Sequence, residues 1–314
     1  MSCSAATYKA LRERGGVADI SDRVKLFLSG GDRIRYLNGQ VTSNVSQLAV
    51  GQTQPACVTT AKGRLCAEVI ITALSDTLVI DADAALRETL PARLERYIVA
   101  DDVELYDGTD DWRLLHFLPG CDGPIDSTLG AAFGGLPRRR SRRFGRDGVD
   151  ILLRAEEAKA QFPALAADRV ILDEPLAEAL RIEAGIPRWG YELGEDTLPP
   201  EAGLDRTHID YHKGCYIGQE VISRLKSVGH VNRQLTGFIS EDGGVLSRGM
   251  ALFAGASEHQ TGSLTSATYS FPLEKPIALG YLKRSSSSAD LIARPADSTG
   301  PVVRVLVRTL PFAS

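Results

Sequence analysis

Eight consecutive residues, Lys213-Gly214-Cys215-Tyr216-Ile217-Gly218-Gln219-Glu220, bring together two glycines, a thiol, a ring, a cation and a carboxylate. Glycine admits backbone angles and close approaches that a Cβ blocks, so Gly214 and Gly218 predict a tight loop that presents Cys215. With Lys213, His212 and Arg224 near in sequence, Cys215 has the electropositive company that favours a reactive thiolate. The alternative is a small buried hydrophobe, the common role of a free cysteine. His208, His212 and Cys215 stand at i, i+4 and i+7, one face of a helix, which raises a metal reading. Gly214 opposes a helix there and a fourth ligand is missing, so no metal is assigned.

A second set is Arg181-Ile182-Glu183-Ala184-Gly185. It reads either as a glycine-capped helix end with a solvated ion pair, or as a carboxylate placed to accept paired N–H groups of a ligand. A third is the run Arg138, Arg139, Arg140, Arg142, Arg143 and Arg146. It suits phosphate contacts or a β-strand edge blunted by charge. The chain as a whole is acidic and only Phe144 interleaves the run, so the edge reading is preferred over nucleic acid. No phosphate loop, dinucleotide fingerprint, G-x-S-x-G, H-E-x-x-H or C-x-x-C occurs.

The frame for these residues is an ordinary globular one. The 314 residues are 43% hydrophobic and 24% charged with net charge −4, which fits two or three domains and opposes a wholesale nucleic-acid binder. No apolar run reaches the roughly 20 residues of a membrane span, and the N-terminus lacks an apolar signal core. The five cysteines, Cys3, Cys57, Cys66, Cys121 and Cys215, are odd in number and scattered, unlike a disulfide framework. A cytoplasmic protein with free thiols and no membrane partner is expected.

Periodicity places the elements. A helix is expected from Tyr8 to Arg14, a strand from Lys25 into the Gly30-Gly31 turn, and a helix capped by Asp32 and stopped at Asn38-Gly39. Paired strands flank Lys62-Gly63-Arg64, and another strand follows at 77–80. Leucines at helical spacing predict a helix over 84–100, with Pro91 as a kink. Strands at 103–106 and 112–118 precede a loop over 120–137. A hairpin is expected to turn at Arg146-Asp147-Gly148, followed by helices at 155–167 and 174–183. From 231 onward short β-rich pieces between Gly and Ser turns, with a polar loop at 285–288, predict a small antiparallel barrel.

The octapeptide resembles the signature of the YgfZ family, folate-binding proteins related to the aminomethyltransferase (T-protein) of the glycine cleavage system. Phe27-Leu28-Ser29-Gly30-Gly31-Asp32-Arg33 with Tyr36-Leu37-Asn38-Gly39-Gln40-Val41-Thr42, Thr60-Ala61-Lys62-Gly63-Arg64, Arg181 to Pro187 and Ile277-Ala278-Leu279-Gly280-Tyr281 resemble further segments of that family, in the same order. The resemblance implies an α+β fold of three domains around a central folate site. Residues 1–75, completed by 168–230, would form the N-terminal portion. Residues 76–167 would form a ferredoxin-like middle domain and 231–314 the C-terminal antiparallel β-barrel.

It also implies tetrahydrofolate or another reduced folate as cofactor, with Glu183, Arg181, Arg224 and Tyr191 as its contacts. Cys215 and Lys213 would carry the chemistry, within a loop shaped by Gly214, Tyr216, Gly218, Gln219 and Glu220. The implied role is assembly or repair of iron–sulfur clusters, which take thiolate ligands, with client enzymes or cluster-assembly proteins as partners. T-proteins resemble G-G-x-x-D-D where this chain has Lys62 to Ala67; their catalytic acidic residue would fall at Cys66 or Ala67, and neither is acidic. That argues against the rival reading, a tetrahydrofolate-dependent aminomethyltransferase or demethylase. A further rival, an RNA-modification accessory protein, rests on the arginine run.

Overall fold

The computed structural model describes residues 4–120, 138–227, 229–255, 259–286, 290–295 and 300–312. From residue 121 on, the loop expected over 120–137 lies outside the described residues, as do Cys3, Cys121 and residues 287–288 of the serine loop. In chain order the first elements are α1 (Ala5–Arg14), β1 (Gly16–Asp19), β2 (Val24–Ser29), α2 (Arg33–Gln40), β3 (Thr53–Thr59), β4 (Leu65–Ala73) and β5 (Leu78–Ala82). Next come α3 (Thr89–Glu95), β6 (Glu104–Asp107), β7 (Trp112–Leu118), β8 (Arg138–Arg143) and β9 (Arg146–Arg154). Helix α4 (Ala155–Ala166), β10 (Val170–Ile171), α5 (Glu174–Glu183) and α6 (Gln219–Ser227) lead to the barrel strands.

These strands form two five-stranded sheets, in the orders β3-β4-β5-β2-β6 and β10-β1-β7-β9-β8. They interleave along the chain. Strand β5, just past residue 75, pairs with both β4 and β2, while β1 near the start pairs with β7. Alternating burial gives the first sheet an apolar face, Ala67, Val69 and Ile71 among others, that packs on Tyr36 and Leu37 of α2 and on Leu90 and Leu94 of α3. Its other face meets the second sheet through Val79, Leu114 and Leu152, with Phe27 and Trp112 beside them.

Strands β11 (Arg233–Ser240), β12 (Ala251–Ala254), β13 (Gln260–Ser270), β14 (Lys275–Lys283), β15 (Leu291–Arg294) and β16 (Val303–Arg308) close into a barrel in the order β11-β14-β13-β12-β15-β16. Every pairing in it is antiparallel, and closure removes the exposed edges of an open sheet. Phe238, Leu252, Leu264 and Ala278 belong to one core cluster of the barrel. A second, with Leu235, Ile277 and Leu279, receives Ile182 of α5 and so joins the barrel to the helix carrying Glu183.

Three local expectations are corrected. The helix expected over 84–100 is only α3, preceded by a 3-10 turn at Ala84–Leu86; Asp83 caps that turn, and Pro91 offers no N–H to extend a longer ladder. The hairpin turns at Phe144-Gly145, two residues earlier than expected, because both residues adopt positive φ (52° and 72°), the demand of a two-residue I′ turn. Asp32 precedes α2 but does not cap it with its side chain; it accepts from the Asp102 N–H at 3.0 Å and binds Arg35.

Candidate functional site

The octapeptide is an irregular loop that runs into α6, and its position is set by what it buries. Lys213 is 7% exposed. Its ammonium donates to the carbonyls of Asn38 (2.6 Å), Val41 (2.8 Å) and Ser43 (2.7 Å), at and just beyond the C-terminal end of α2. A lysine has three donors and no acceptor, so this set is complete. Burial brings the Lys213 pKa down to about 8. Tyr216 is buried as well, with its ring centroid 5.4 Å from the ammonium.

Next, Ile217 donates its N–H to Gly39 (3.3 Å) and its carbonyl accepts from the Thr59 hydroxyl (2.5 Å). Gly218 has φ 91° and lies so close to the β3–β4 turn that a Cβ would stand 2.5 Å from the Thr60 carbonyl. Gly63 of that turn packs on Val221 and Ile222 of α6. Gln219 and Glu220 begin α6, where a carboxylate suits the helix N-terminus. Between buried Lys213 and buried Tyr216, Cys215 is exposed; Cys57 is buried and Cys66 half-buried. Lys213 thus faces three carbonyls, while Arg224 is exposed on α6.

The carboxylates of residues 183–201 differ in how fully they are satisfied. α5 closes with a left-handed Gly185 (φ 69°), the Ile186 N–H returning to Arg181 and that of Gly185 to Ile182. At this end Glu183 accepts from the Tyr8 hydroxyl (2.7 Å) and the Ser270 hydroxyl (2.8 Å), one on each oxygen. Burial raises its pKa. Arg181 turns to Glu178, Glu192 and Ser266. Glu192 is buried and accepts from Arg181, the Arg188 N–H, Thr265 and Ser266. Tyr191 is exposed, with the Arg248, Arg188 and Arg181 guanidiniums 3.8, 5.0 and 5.9 Å from its ring centroid.

Glu201, in the 3-10 turn Pro199–Ala202, is buried but has one unpartnered oxygen. Its Oε2 binds Arg233 Nε at 3.0 Å, whereas Oε1 has no partner among the described residues. Arg233 lies 4.4 Å over the Tyr281 ring, and the Tyr281 hydroxyl donates to the Glu192 carbonyl. Sequence reasoning missed this pair, because Glu201 and Arg233 stand 32 residues apart with no spacing signal.

The remaining readings resolve as follows. His208 does not join His212 and Cys215, since residues 207–218 form no helix; its Nε2 lies 3.2 Å from Glu68, another pair the sequence does not advertise. Among the described residues no cluster of three His, Cys, Asp or Glu side chains is placed to hold a metal. Five of the six arginines lie on edge strand β8 and alternate, and Arg146 begins β9. Arg139 and Arg143 point inward, while Arg138, Arg140 and Arg142 share the outward face, so only part of the run is at the surface. Arg143 bridges Asp81 and Asp150, and Asp150 meets His116 Nδ1 at 2.7 Å. No described helix is long and apolar enough to cross a membrane.

Residues 1–119 match the GCVT N-terminal domain, and residues 233–309 match the glycine cleavage T-protein C-terminal barrel domain. An aminomethyltransferase of Thermosynechococcus vestitus is 30% identical over 292 residues, which cover 88% of this chain and 78% of that protein. The chain belongs to the glycine cleavage T-protein (aminomethyltransferase) family. An aminomethyltransferase of Rubrobacter xylanophilus is 29% identical over 298 residues, with the same coverage. The crystal structure of glycine cleavage system aminomethyltransferase T from Bartonella henselae shares the fold, with TM-score 0.86 over 98% of this chain and 89% of that one at 20% identity. Cys66, where the resemblance would place an acidic residue, is half-buried, and the neighbouring Ala67 is buried.

Proposed function

We propose that this T-protein family member binds a reduced folate and, through the Cys215 thiol, serves in the assembly or repair of iron–sulfur clusters, as in the YgfZ branch its octapeptide resembles. The observation that carries the proposal is an exposed thiol on a loop held by a buried lysine clamp and a left-handed glycine. A loop fixed this way holds its sulfur toward a partner instead of burying it as core. Iron–sulfur clusters are held by thiolates, so a presented cysteine fits that chemistry.

The residues present suit a pterin. Its amino and ring N–H edge needs a carboxylate acceptor, and Glu201 offers an unpartnered Oε1 while Arg233 pairs with its Oε2. Glu183 accepts such an edge only by releasing Tyr8 or Ser270, so Glu201 is the favoured contact and Glu183 the alternative. Arg181, already bound to Glu178 and Glu192, positions the Glu192 network; the exposed ring of Tyr191 offers a surface to the rest of the ligand. When bound, the folate would supply a one-carbon carrier.

The aminomethyltransferase reading has its own support in the names of the relatives. Against it stands the missing carboxylate at Cys66 and Ala67. The test is complementation of cells lacking this protein, read as the activity of their iron–sulfur enzymes. Cys215→Ser should fail to restore that activity while Cys66→Ser restores it. Full restoration by Cys215→Ser removes the thiol role, and folate-dependent one-carbon release from an aminomethylated donor would favour the transferase.

A further inference from the structure

Where β11 begins and β14 ends, the barrel opens on a cavity of about 420 Å³ lined by His230, Val231, Gln234, Thr236, Leu282, Lys283, Arg284 and Ser286. It includes none of Cys215, Glu183 and Glu201. The depression is solvent-open, with His230, Gln234, Lys283 and Arg284 exposed, and barrel mouths are a recurrent place for ligands. The wall is built by the ladder that pairs Arg233 with Lys283 and Gln234 with Leu282. The rim is set by backbone bonds: the Arg284 N–H donates to the Asn232 carbonyl (2.9 Å) and that of Ser286 to Lys283 (3.0 Å).

The lining chemistry is one-sided. Lys283 and Arg284 are basic, His230 adds an imidazole, Thr236 and Ser286 add hydroxyls, and no carboxylate is among the lining residues. Lys283 gives one donor to the Gln260 carbonyl at 3.0 Å. The side chains of Arg284 and His230 have no partner among the described residues. A guanidinium fork without an internal acceptor matches an oxyanion, and a lysine beside it adds a point charge. Leu282 is buried and Val231 half-buried, which supplies an apolar wall.

We infer that this barrel mouth is a second binding site, separate from the folate-facing residues, for a small anion bearing phosphate or carboxylate groups, held by Arg284 and Lys283. It does not depend on the folate reading. The first residue of β11, Arg233, is adjacent to lining residue Gln234 and holds Glu201, so the two sites touch through one residue.

The test is calorimetric titration of the full chain with inorganic pyrophosphate and, separately, with citrate, at constant ionic strength. One saturable site is expected for at least one probe, and the probe that binds identifies phosphate or carboxylate as the class. Arg284→Ala and Lys283→Ala should each weaken it tenfold or more. Arg138→Ala, which removes an outward cation on β8, should leave it unchanged. Neither substitution at the rim removes an internal side-chain ion pair, and unchanged melting temperatures confirm the fold. No saturable binding by either probe overturns the inference. So does binding that survives Arg284→Ala, or that Arg138→Ala weakens equally.

Discussion

A lysine ammonium leaving water needs an oxygen for each of its donors, and Lys213 finds all three at the end of α2. Its place beside Cys215 in sequence suggested a thiolate partner; the fold gives it three carbonyls instead, and their positions are not legible in a linear string. Lys213→Met leaves those carbonyls unpaired and should cost on the order of 2–4 kcal/mol in denaturant unfolding, a loss a purely catalytic lysine would not produce. Glu183 was legible as a special carboxylate, but its partners, Tyr8 and Ser270, come from distant segments. Burial raises its pKa despite those hydrogen bonds. Its contribution to stability is therefore fully present below the unfolded value and lost as pH rises through the raised folded one. Thermal melts across that range should show Glu183→Gln removing this decline; an unchanged profile would place the titration elsewhere.

At the scale of elements, a loop must present the thiol and a turn must support the loop. Gly218 sits where φ is 91° and where a Cβ would meet the Thr60 carbonyl at 2.5 Å. Gly218→Ala should destabilise by about 1–3 kcal/mol and shift the loop, which the rate of Cys215 labelling by a disulfide reagent reads directly. An unaltered rate and stability would mean the contact is not restrictive. The two glycines of the octapeptide signalled a tight loop; the partner surface, the β3–β4 turn more than 150 residues away, was not signalled. The β8–β9 hairpin shows the same limit. Arg146-Asp147-Gly148 carries the turn-forming residues, whereas the chain turns at Phe144-Gly145, and a phenylalanine at positive φ is rarely expected.

In the whole molecule, the barrel was legible because Gly- and Ser-rich turns bound each short strand. The pairing of β1 with β7 was not, because period-two alternation names a face and never a partner. The two sheets are joined through polar groups as well as apolar ones. Burial opposes the charge of Asp150, but Arg143 and His116 more than offset it and hold its carboxyl well below the usual range. Burial likewise lowers the His116 pKa against the pull of Asp150. The histidine term is present above its ordinary range and lost as pH falls through it. The Asp150 term is present above the unfolded carboxylate value and lost at lower pH. Unfolding measured from neutral pH downward should therefore show a decline that Asp150→Asn flattens. Arg143→Leu removes the guanidinium that joins Asp150 to Asp81, leaving Asp81 with Arg23 alone, and should cost about 3–5 kcal/mol at neutral pH.

The central proposal is that this T-protein family member binds a reduced folate through the unpartnered oxygen of Glu201. Anaerobic calorimetric titration with tetrahydrofolate measures it most directly, on the parent, Glu201→Gln and Glu183→Gln. The account predicts one site per chain in the parent, at least tenfold weaker in Glu201→Gln and less affected in Glu183→Gln. Absence of binding by the parent, or undiminished binding by both variants, would contradict it.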